Sequence, residues 1–242
     1  MKNKKSLWLA STALLVGVSF SAATVFADEG GSLNTDGTIT FEQGKAPEPV
    51  NPVNPVEPIT PDNPVGPIGE GLTLDYVSTL DFGTKKISTT TQTYYATADK
   101  GKNSKGEEIS YPNYVQVSDL RGTKAGWNLS VKQNAQFTAG TDELTGAKLT
   151  FSNAELVTGA KEADSYKPTA TAGASFTLTP GTELPLINSE NGKGMGTWVY
   201  RFGDATKQAA SIGLEVPGTT LQLAKAYSTT LTWQLNNTPV NK

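Results

Sequence analysis

The chain has 242 residues, with 20 basic and 23 acidic side chains, no histidine and no cysteine. The absence of histidine excludes imidazole-based nucleophile systems and general bases, and the absence of both residues removes the usual ligands of zinc, haem and iron–sulfur sites. A formal charge of -3 excludes a strongly basic nucleic-acid-binding protein. We therefore predict no metal, no cofactor and no nucleic-acid partner.

Residues 1–27 have the organisation of a secretory signal peptide. A cationic start, Met1–Lys5, precedes an apolar run over residues 6–20, which is shorter than the about 20 residues that a membrane-spanning helix needs. Val25 and Ala27 occupy the −3 and −1 positions of a cleavage site, so we expect cleavage after Ala27. Because residues 1–27 carry three lysines and no acid, the processed chain keeps 17 basic and 23 acidic residues, a charge of -6. We expect it to be secreted and not to span the membrane.

The segment of residues 46–70 is rich in proline. It holds 8 of the chain's 14 prolines, and from Pro49 onward they recur at every third position. Polyproline II has three residues per turn, so the spacing predicts a stiff, solvated spacer. A ligand for a proline-binding module is the other interpretation, and in an exported protein we favour the spacer.

The segment of residues 28–45, before the spacer, contains one strand-like stretch. Residues 37–43 alternate apolar and polar side chains, with Ile39 and Phe41 on one side. A single strand is not stable alone. It therefore either pairs with a sheet edge, in its own domain or on a neighbour, or stays disordered.

Residues 71–242 are numerous enough to form one domain with a substantial core. Ten short runs alternate in polarity and are separated by turn signals such as Asn-Gly and Pro-Gly, and no amphipathic helix of ten residues is found. The runs cover residues 72–77, 93–97, 114–117, 127–131, 147–151, 175–178, 197–202, 212–216, 220–223 and 231–235. This pattern predicts an all-β fold, an antiparallel β-sandwich or barrel-like domain.

Two Trp-x-Leu tripeptides stand out in this domain. They are Trp127-Asn128-Leu129 and Trp233-Gln234-Leu235. In a strand, residues two apart face the same side, so each tripeptide presents an indole beside a leucine. Burial in a core and exposure of one indole face are both compatible with that arrangement. The second tripeptide belongs to a longer pattern, whose further members are Tyr227, Leu231, Thr232 and Pro239.

The Tyr227–Pro239 pattern resembles the distal motif of the WxL-domain surface proteins of Gram-positive bacteria, and Trp127–Leu129 resembles their proximal motif. The layout of signal peptide, short strand, proline-rich spacer and β domain is similar to that of the small WxL proteins. The resemblance implies noncovalent attachment to the cell wall, with peptidoglycan as the ligand. It also implies complexes with other WxL-type or wall-associated surface proteins, some of which adhere to host extracellular matrix.

The resemblance further implies that the residues of both tripeptides belong to the ligand-binding region. Aromatic side chains stack on the apolar faces of sugars, and amides hydrogen-bond N-acetyl groups. The indoles of Trp127 and Trp233 and the amides of Asn128 and Gln234 have the matching chemistry.

Three hypotheses of different classes follow. The first is a peptidoglycan-binding module. The second is a structural or interaction subunit, or a host-matrix adhesin, whose wall association is indirect. The third is a wall-active hydrolase, for which Asp142 and Glu143 are a candidate carboxylate pair. Nothing in the sequence supports that pair beyond its presence, so we expect no enzymatic activity.

The first prediction concerns processing. Because Val25 and Ala27 suit signal peptidase, the secreted protein is expected to begin at Asp28. Intact-mass measurement of the exported chain checks this, and a mass that still includes residues 1–27 contradicts it.

Overall fold

The structure, a computed structural model, describes residues 32–63, 66, 69–160 and 163–239. The predicted signal peptide and its cleavage site at Ala27 lie outside these residues. The described residues fall into two units, the first ending at Thr40 and the second beginning at Phe41. Residues 32–40 of the first contain no helix and no strand. Among the described residues, no helix has the length and apolarity that crossing a membrane requires.

The second unit is built almost entirely of strands. Its described part has one 3-10 turn, Ala163–Tyr166, and eighteen strands: β1 (Val50–Asn51), β2 (Asn54–Pro61), β3 (Leu72–Val77), β4 (Gln92–Tyr95), β5 (Asp99–Asn103), β6 (Glu108–Tyr111), β7 (Tyr114–Asp119), β8 (Trp127–Gln133), β9 (Thr138–Ala139), β10 (Asp142–Glu143), β11 (Lys148–Phe151), β12 (Ala154–Val157), β13 (Thr169–Ala170), β14 (Phe176–Leu178), β15 (Glu183–Ser189), β16 (Gly196–Phe202), β17 (Ile212–Val216) and β18 (Leu231–Asn236).

Three four-stranded antiparallel sheets enclose the main hydrophobic core. We call them the motif sheet (β13-β15-β8-β18), the central sheet (β12-β16-β7-β3) and the outer sheet (β14-β11-β17-β4). Phe151 of the outer sheet packs on Phe202 of the central sheet at 4.8 Å between ring centroids, and meets Trp233 of the motif sheet edge-on at 6.4 Å. The prediction of an all-β, antiparallel, sandwich-like fold is confirmed.

Nine of the ten predicted runs in this domain contain a strand. The exception is residues 220–223, where the Gln222 side chain, instead of a backbone ladder, bonds the backbone of Ser88 through both its oxygen (3.2 Å) and its nitrogen (3.0 Å). Strand β15 is one of nine strands that lie outside the ten runs, and it contains Pro185. A register shift between Pro185 and Ile187 accommodates the proline, which has no N–H to donate.

The proline-rich segment differs from the expected solvated rod. Strands β1 and β2 lie within it and form a small sheet with β5 and β6, in the order β1-β2-β5-β6. Val50 and Ile59 are buried, and they share a second core with Tyr114 and Val199 of the central sheet. Polyproline II and β backbones are close in φ and ψ, so proline spacing does not separate them. The N–H of Ile59, between two prolines, still donates to Pro49 O at 2.9 Å.

A polar network fastens the proline-rich segment to the central sheet. Gln116 of β7 accepts the N–H of Val50 at 2.8 Å and donates to the carboxylate of Asp75 at 3.0 Å. Asp75 has no exposed surface and also accepts hydrogen bonds from Thr73 and Ser118. Burial raises the pKa of Asp75 despite these three donors.

A second buried carboxylate, Asp99, joins β5 to its surroundings. It accepts hydrogen bonds from the Tyr76 hydroxyl at 2.8 Å, from Ser78, and from Asn63 at 2.8 Å. Burial raises the pKa of Asp99 as well. Asn63 belongs to the proline-rich segment, so both carboxylates connect that segment to the domain.

The strand expected at residues 37–43 does not form in the structure. These residues have neither helix nor strand, and Ile39 and Phe41 are exposed. An extended chain without a partner makes no ladder hydrogen bonds, which accounts for the absence of a strand assignment. Pairing with another chain stays a prediction.

The second prediction concerns the pH dependence of stability. A carboxyl whose pKa is raised by folding stabilises the folded state at low pH, and this contribution is lost as the pH rises through the folded pKa. Asp75→Asn removes this pH dependence, because asparagine does not titrate. The free energy of unfolding that depends on pH amounts to about 1.4 kcal/mol for each unit by which folding raises the pKa of Asp75. The free energy of unfolding of Asp75→Asn relative to the parent should therefore fall as the pH falls from 7 toward 4.5.

Urea unfolding at several pH values checks this prediction. Asp36→Asn, at an exposed position, is the control and should track the parent. A difference between Asp75→Asn and the parent that does not change with pH contradicts the prediction.

Candidate functional site

The two Trp-x-Leu tripeptides are neighbours in the motif sheet. Strands β8 and β18 pair antiparallel, so that Leu129 lies opposite Leu235 and Val131 lies opposite Trp233. Residues more than a hundred positions apart thus form one continuous patch of sheet. The patch has two faces, because successive side chains of a strand alternate.

The inner face holds the indoles and leucines. Trp127 and Leu129 of β8 have no exposed surface, whereas Trp233 and Leu235 of β18 are partly exposed. The difference follows from position: β8 has a strand on both sides, and β18 is at the edge of its sheet. Trp127 therefore has no accessible face for a ligand in this structure, and Trp233 has a partial one.

A glycine contact fixes the buried indole. The indole N–H of Trp127 donates to Gly194 O at 3.0 Å. Gly194 has a φ of 75°, and a Cβ there would lie 2.4 Å from Trp127 Nε1 and 2.1 Å from Ser189 Oγ. Only glycine permits both this backbone conformation and this approach.

The opposite face of the motif strands carries amides. Gln234 donates to Asn236 at 3.2 Å, Asn236 donates to Asn128 at 3.1 Å, and Asn128 donates to the backbone oxygen of Thr238 at 2.5 Å. Asn128 is buried, Asn236 is partly exposed and Gln234 is exposed. The predicted stacking and amide groups are thus on opposite faces, and they cannot meet one ligand on a flat surface of the sheet.

A polar groove lies at the C-terminal end of β18. It has a volume of about 520 Å³ and is lined by Gln43, Glu70, Leu72, Arg121, Leu235, Asn236 and Asn237. Gln43 and Asn237 are exposed, and no protein hydrogen bond to their side chains is found among the described residues. The groove thus combines two leucines with several amides.

Arg121 organises the wall of the polar groove. Its guanidinium makes two bonds to Asp119, at 2.8 and 2.7 Å, and donates to Gly126 O at 2.6 Å and to Asn237 O at 3.4 Å. The hydrogen bond from Arg121 to Asp119 raises the pKa of Arg121. The pair joins the segment before Trp127 to the end of the distal motif, a connection between distant residues that no local pattern in the sequence indicates.

An apolar groove lies near the other end of β18. Its volume is about 1070 Å³, and two loops line most of it, residues 80–87 after β3 and residues 222–229 before β18. Phe82 and Phe137 meet edge-to-face there at 6.1 Å. Tyr227, the first residue of the distal motif, borders it, and its hydroxyl accepts the N–H of Leu223 at 3.1 Å. The distal motif therefore runs from the apolar groove to the polar groove.

Most of the remaining residues singled out in the sequence make contacts within the protein itself. Leu231 packs against the main core, and exposed Thr232 bonds Asn134. Pro239 is the last described residue, and it is partly exposed. The carboxylate of Asp142 binds Lys225 at 2.6 Å. No group of three metal-ligating side chains is found in the described part of the chain.

Comparison with known proteins found one family. A family model described as WxL domain, surface cell wall-binding, matches residues 28–239. Comparisons of the chain with curated proteins and with solved structures found no match.

The third prediction separates the two indoles. Trp127→Ala should lower the free energy of unfolding by about 3–5 kcal/mol, because it removes a fully buried side chain and its hydrogen bond. Trp233→Ala should cost less, because Trp233 is already partly exposed. Urea unfolding of both variants measures the difference.

Gly194→Ala is the companion variant. It should destabilise the protein in the same direction as Trp127→Ala, since the added methyl displaces the indole. Gly181→Ala is the matched control, with a φ of 80° but no atom within 4 Å of the added Cβ. If Trp127→Ala and Trp233→Ala lower the free energy of unfolding by the same amount, the prediction is wrong.

Proposed function

Because this chain belongs to the WxL family of surface cell wall-binding domains, and so is a cell-wall and cell-surface protein, we propose that it is exported and binds peptidoglycan directly and noncovalently through its β domain. We propose the polar groove as the contact. The observation that carries this proposal is the presence of the distal-motif residues Leu235, Asn236 and Asn237 in that groove.

The chemistry of the polar groove suits an N-acetylated glycan. Leu72 and Leu235 offer apolar surface to an acetamido methyl group or a sugar face, and the amides of Gln43 and Asn237 supply donors and acceptors for the acetamido group and hydroxyls. These two amides lack protein partners among the described residues, so a ligand displaces only water from them.

The two indoles have different roles in this proposal. Trp127, which is buried and bound to Gly194 O, holds β8 in register. Trp233 is the motif indole with exposed surface, and it lies outside the groove lining, so we assign to it any stacking on sugar beyond the polar groove. Asn128 supports the groove from behind, through its bond with Asn236.

Charge makes only a small contribution to the proposed contact. The processed chain carries -6, and the cation in the groove, Arg121, is already paired with Asp119. Neutral hydrogen bonds and apolar contact must then dominate. Binding to an anionic wall should weaken little, or strengthen, when salt screens the repulsion.

A second candidate function is an interaction subunit whose wall association is indirect. The apolar groove favours it, because a concave apolar surface of this size is typical of a site that receives a partner. Host-matrix adhesion belongs to this class. The WxL family is a wall-binding family rather than an enzyme family, and we propose no reaction.

The fourth prediction tests the polar groove. The double variant Gln43→Ala/Asn237→Ala should bind purified sacculi about tenfold more weakly than the parent, because it removes two sets of neutral hydrogen bonds of about 0.5–1.5 kcal/mol each. Co-sedimentation of the processed chain with sacculi, without any partner protein, measures the affinity. Circular dichroism and thermal unfolding should be unchanged, since both side chains are exposed.

The control removes the same side chains elsewhere. Asn54→Ala/Gln92→Ala truncates one asparagine and one glutamine at exposed positions outside the groove and should bind as the parent does. Parent protein that does not sediment with sacculi refutes direct binding and favours the indirect alternative. A steep loss of binding between low and physiological salt refutes the neutral contact.

A further inference from the structure

We infer that the N-terminal segment of one molecule, residues 32–43, docks into the apolar groove of a second copy through Ile39 and Phe41. This inference does not rest on peptidoglycan binding. Ile39 is 78% exposed and Phe41 is 85% exposed. Two residues apart in an extended chain, such side chains lie on one side, about 6.5–7 Å from each other. Large apolar side chains presented together to solvent mark an interaction segment.

The apolar groove has the size and lining that this pair requires. Its volume of about 1070 Å³ exceeds that of two large side chains, and Phe82 and Phe137 form aromatic walls. Tyr94 of β4 also lines it, and β4 is the last strand of the outer sheet. An extended occupant therefore lies beside an edge strand, which is a common way for proteins to bind peptides.

The charges of the segment and the groove are complementary. Residues 28–43 contain four acidic side chains and no Lys or Arg, and Asp36 and Glu42 flank the apolar pair. Lys85 and Lys86 are exposed on the groove and form no ion pair within the described residues, whereas Lys225 is bound to Asp142. The lining holds three lysines and one carboxylate, Asp81, so the groove has a net positive lining on a chain that carries -6 after processing. Opposite potentials of this kind favour the correct pairing and speed association.

A second copy is the occupant that satisfies both observations. The apolar pair, its acidic flanks, the aromatic walls and the free lysines all belong to one sequence, so every copy carries both halves of the contact. The two halves are different surfaces, so the contact is heterologous: it forms either a closed ring or a growing chain. On a cell wall, such assembly would multiply the number of wall contacts for each particle.

Sedimentation velocity of the processed chain over a range of concentrations tests the inference. The parent should self-associate in a concentration-dependent way, and Ile39→Ser/Phe41→Ser should weaken association at least tenfold. The matched control, Val56→Ser/Met195→Ser, removes two other exposed apolar side chains, 67% and 48% exposed, and should associate as the parent does. A parent that is monomeric at all concentrations overturns the inference.

A charge exchange tests the orientation of the contact. Lys85→Glu/Lys86→Glu and Asp36→Lys/Glu42→Lys should each lose self-association at least tenfold, since each places like charges together. Mixing the two variants should restore association between them. Loss without restoration in the mixture overturns the assigned pairing of segment and groove.

Cysteine chemistry then separates a second copy from the chain's own segment. The chain has no cysteine, so a disulfide can form only between introduced residues. A mixture of the Phe41→Cys and Thr84→Cys chains should give a mixed disulfide dimer, more readily than a mixture of Val56→Cys and Thr84→Cys chains. No excess over that control overturns the inference. Protection of residues 32–43 from hydrogen exchange in a strictly monomeric protein also overturns the inference.

Discussion

The ring of Phe151 lies where the three sheets around the main hydrophobic core meet. One aromatic side chain on the outer sheet touches Phe202 of the central sheet and Trp233 of the motif sheet, and stacks on its neighbour Phe176 at 5.1 Å. The chain has no cysteine, so no disulfide reinforces this packing. Apolar burial is therefore the main interaction that holds the three sheets together, and the motif indole Trp233 is part of it.

That packing determines what the paired motifs can do. Leucines and indoles close the core from the motif sheet, and strand alternation sends Asn128 and Gln234 to the other side. A ligand can reach the core-facing side chains of the motif strands where the core face ends, and it can reach Gln234 on the exposed opposite face. Both grooves lie at such ends, with Tyr227 at one and Asn236 at the other. The distal motif therefore borders two separate surfaces.

The described part of the proline-rich segment forms a layer that packs on the central sheet. Its strands cover the second face of the central sheet, where Ile59 packs and Gln116 bonds Val50. The carboxylates of Asp75 and Asp99 are buried beneath this layer with hydrogen-bond donors, and no cation of the described residues pairs with either of them. Removing the layer would expose a sheet whose two faces are both built for burial, so the segment and the domain form one folding unit.

Sequence alone determined the all-β class, the places of nine strands and the family, and it singled out the two motifs. These properties are local: alternation of polarity predicts a strand wherever one face is buried, and a spaced pattern such as that from Tyr227 to Pro239 needs no partner to be recognised. Tertiary structure decided which indole is accessible, that Arg121 joins the two motifs, and that proline-rich residues form strands. Each of these depends on which strands become neighbours, and pairing between distant residues is set by the packing of the whole core, which a local pattern does not contain.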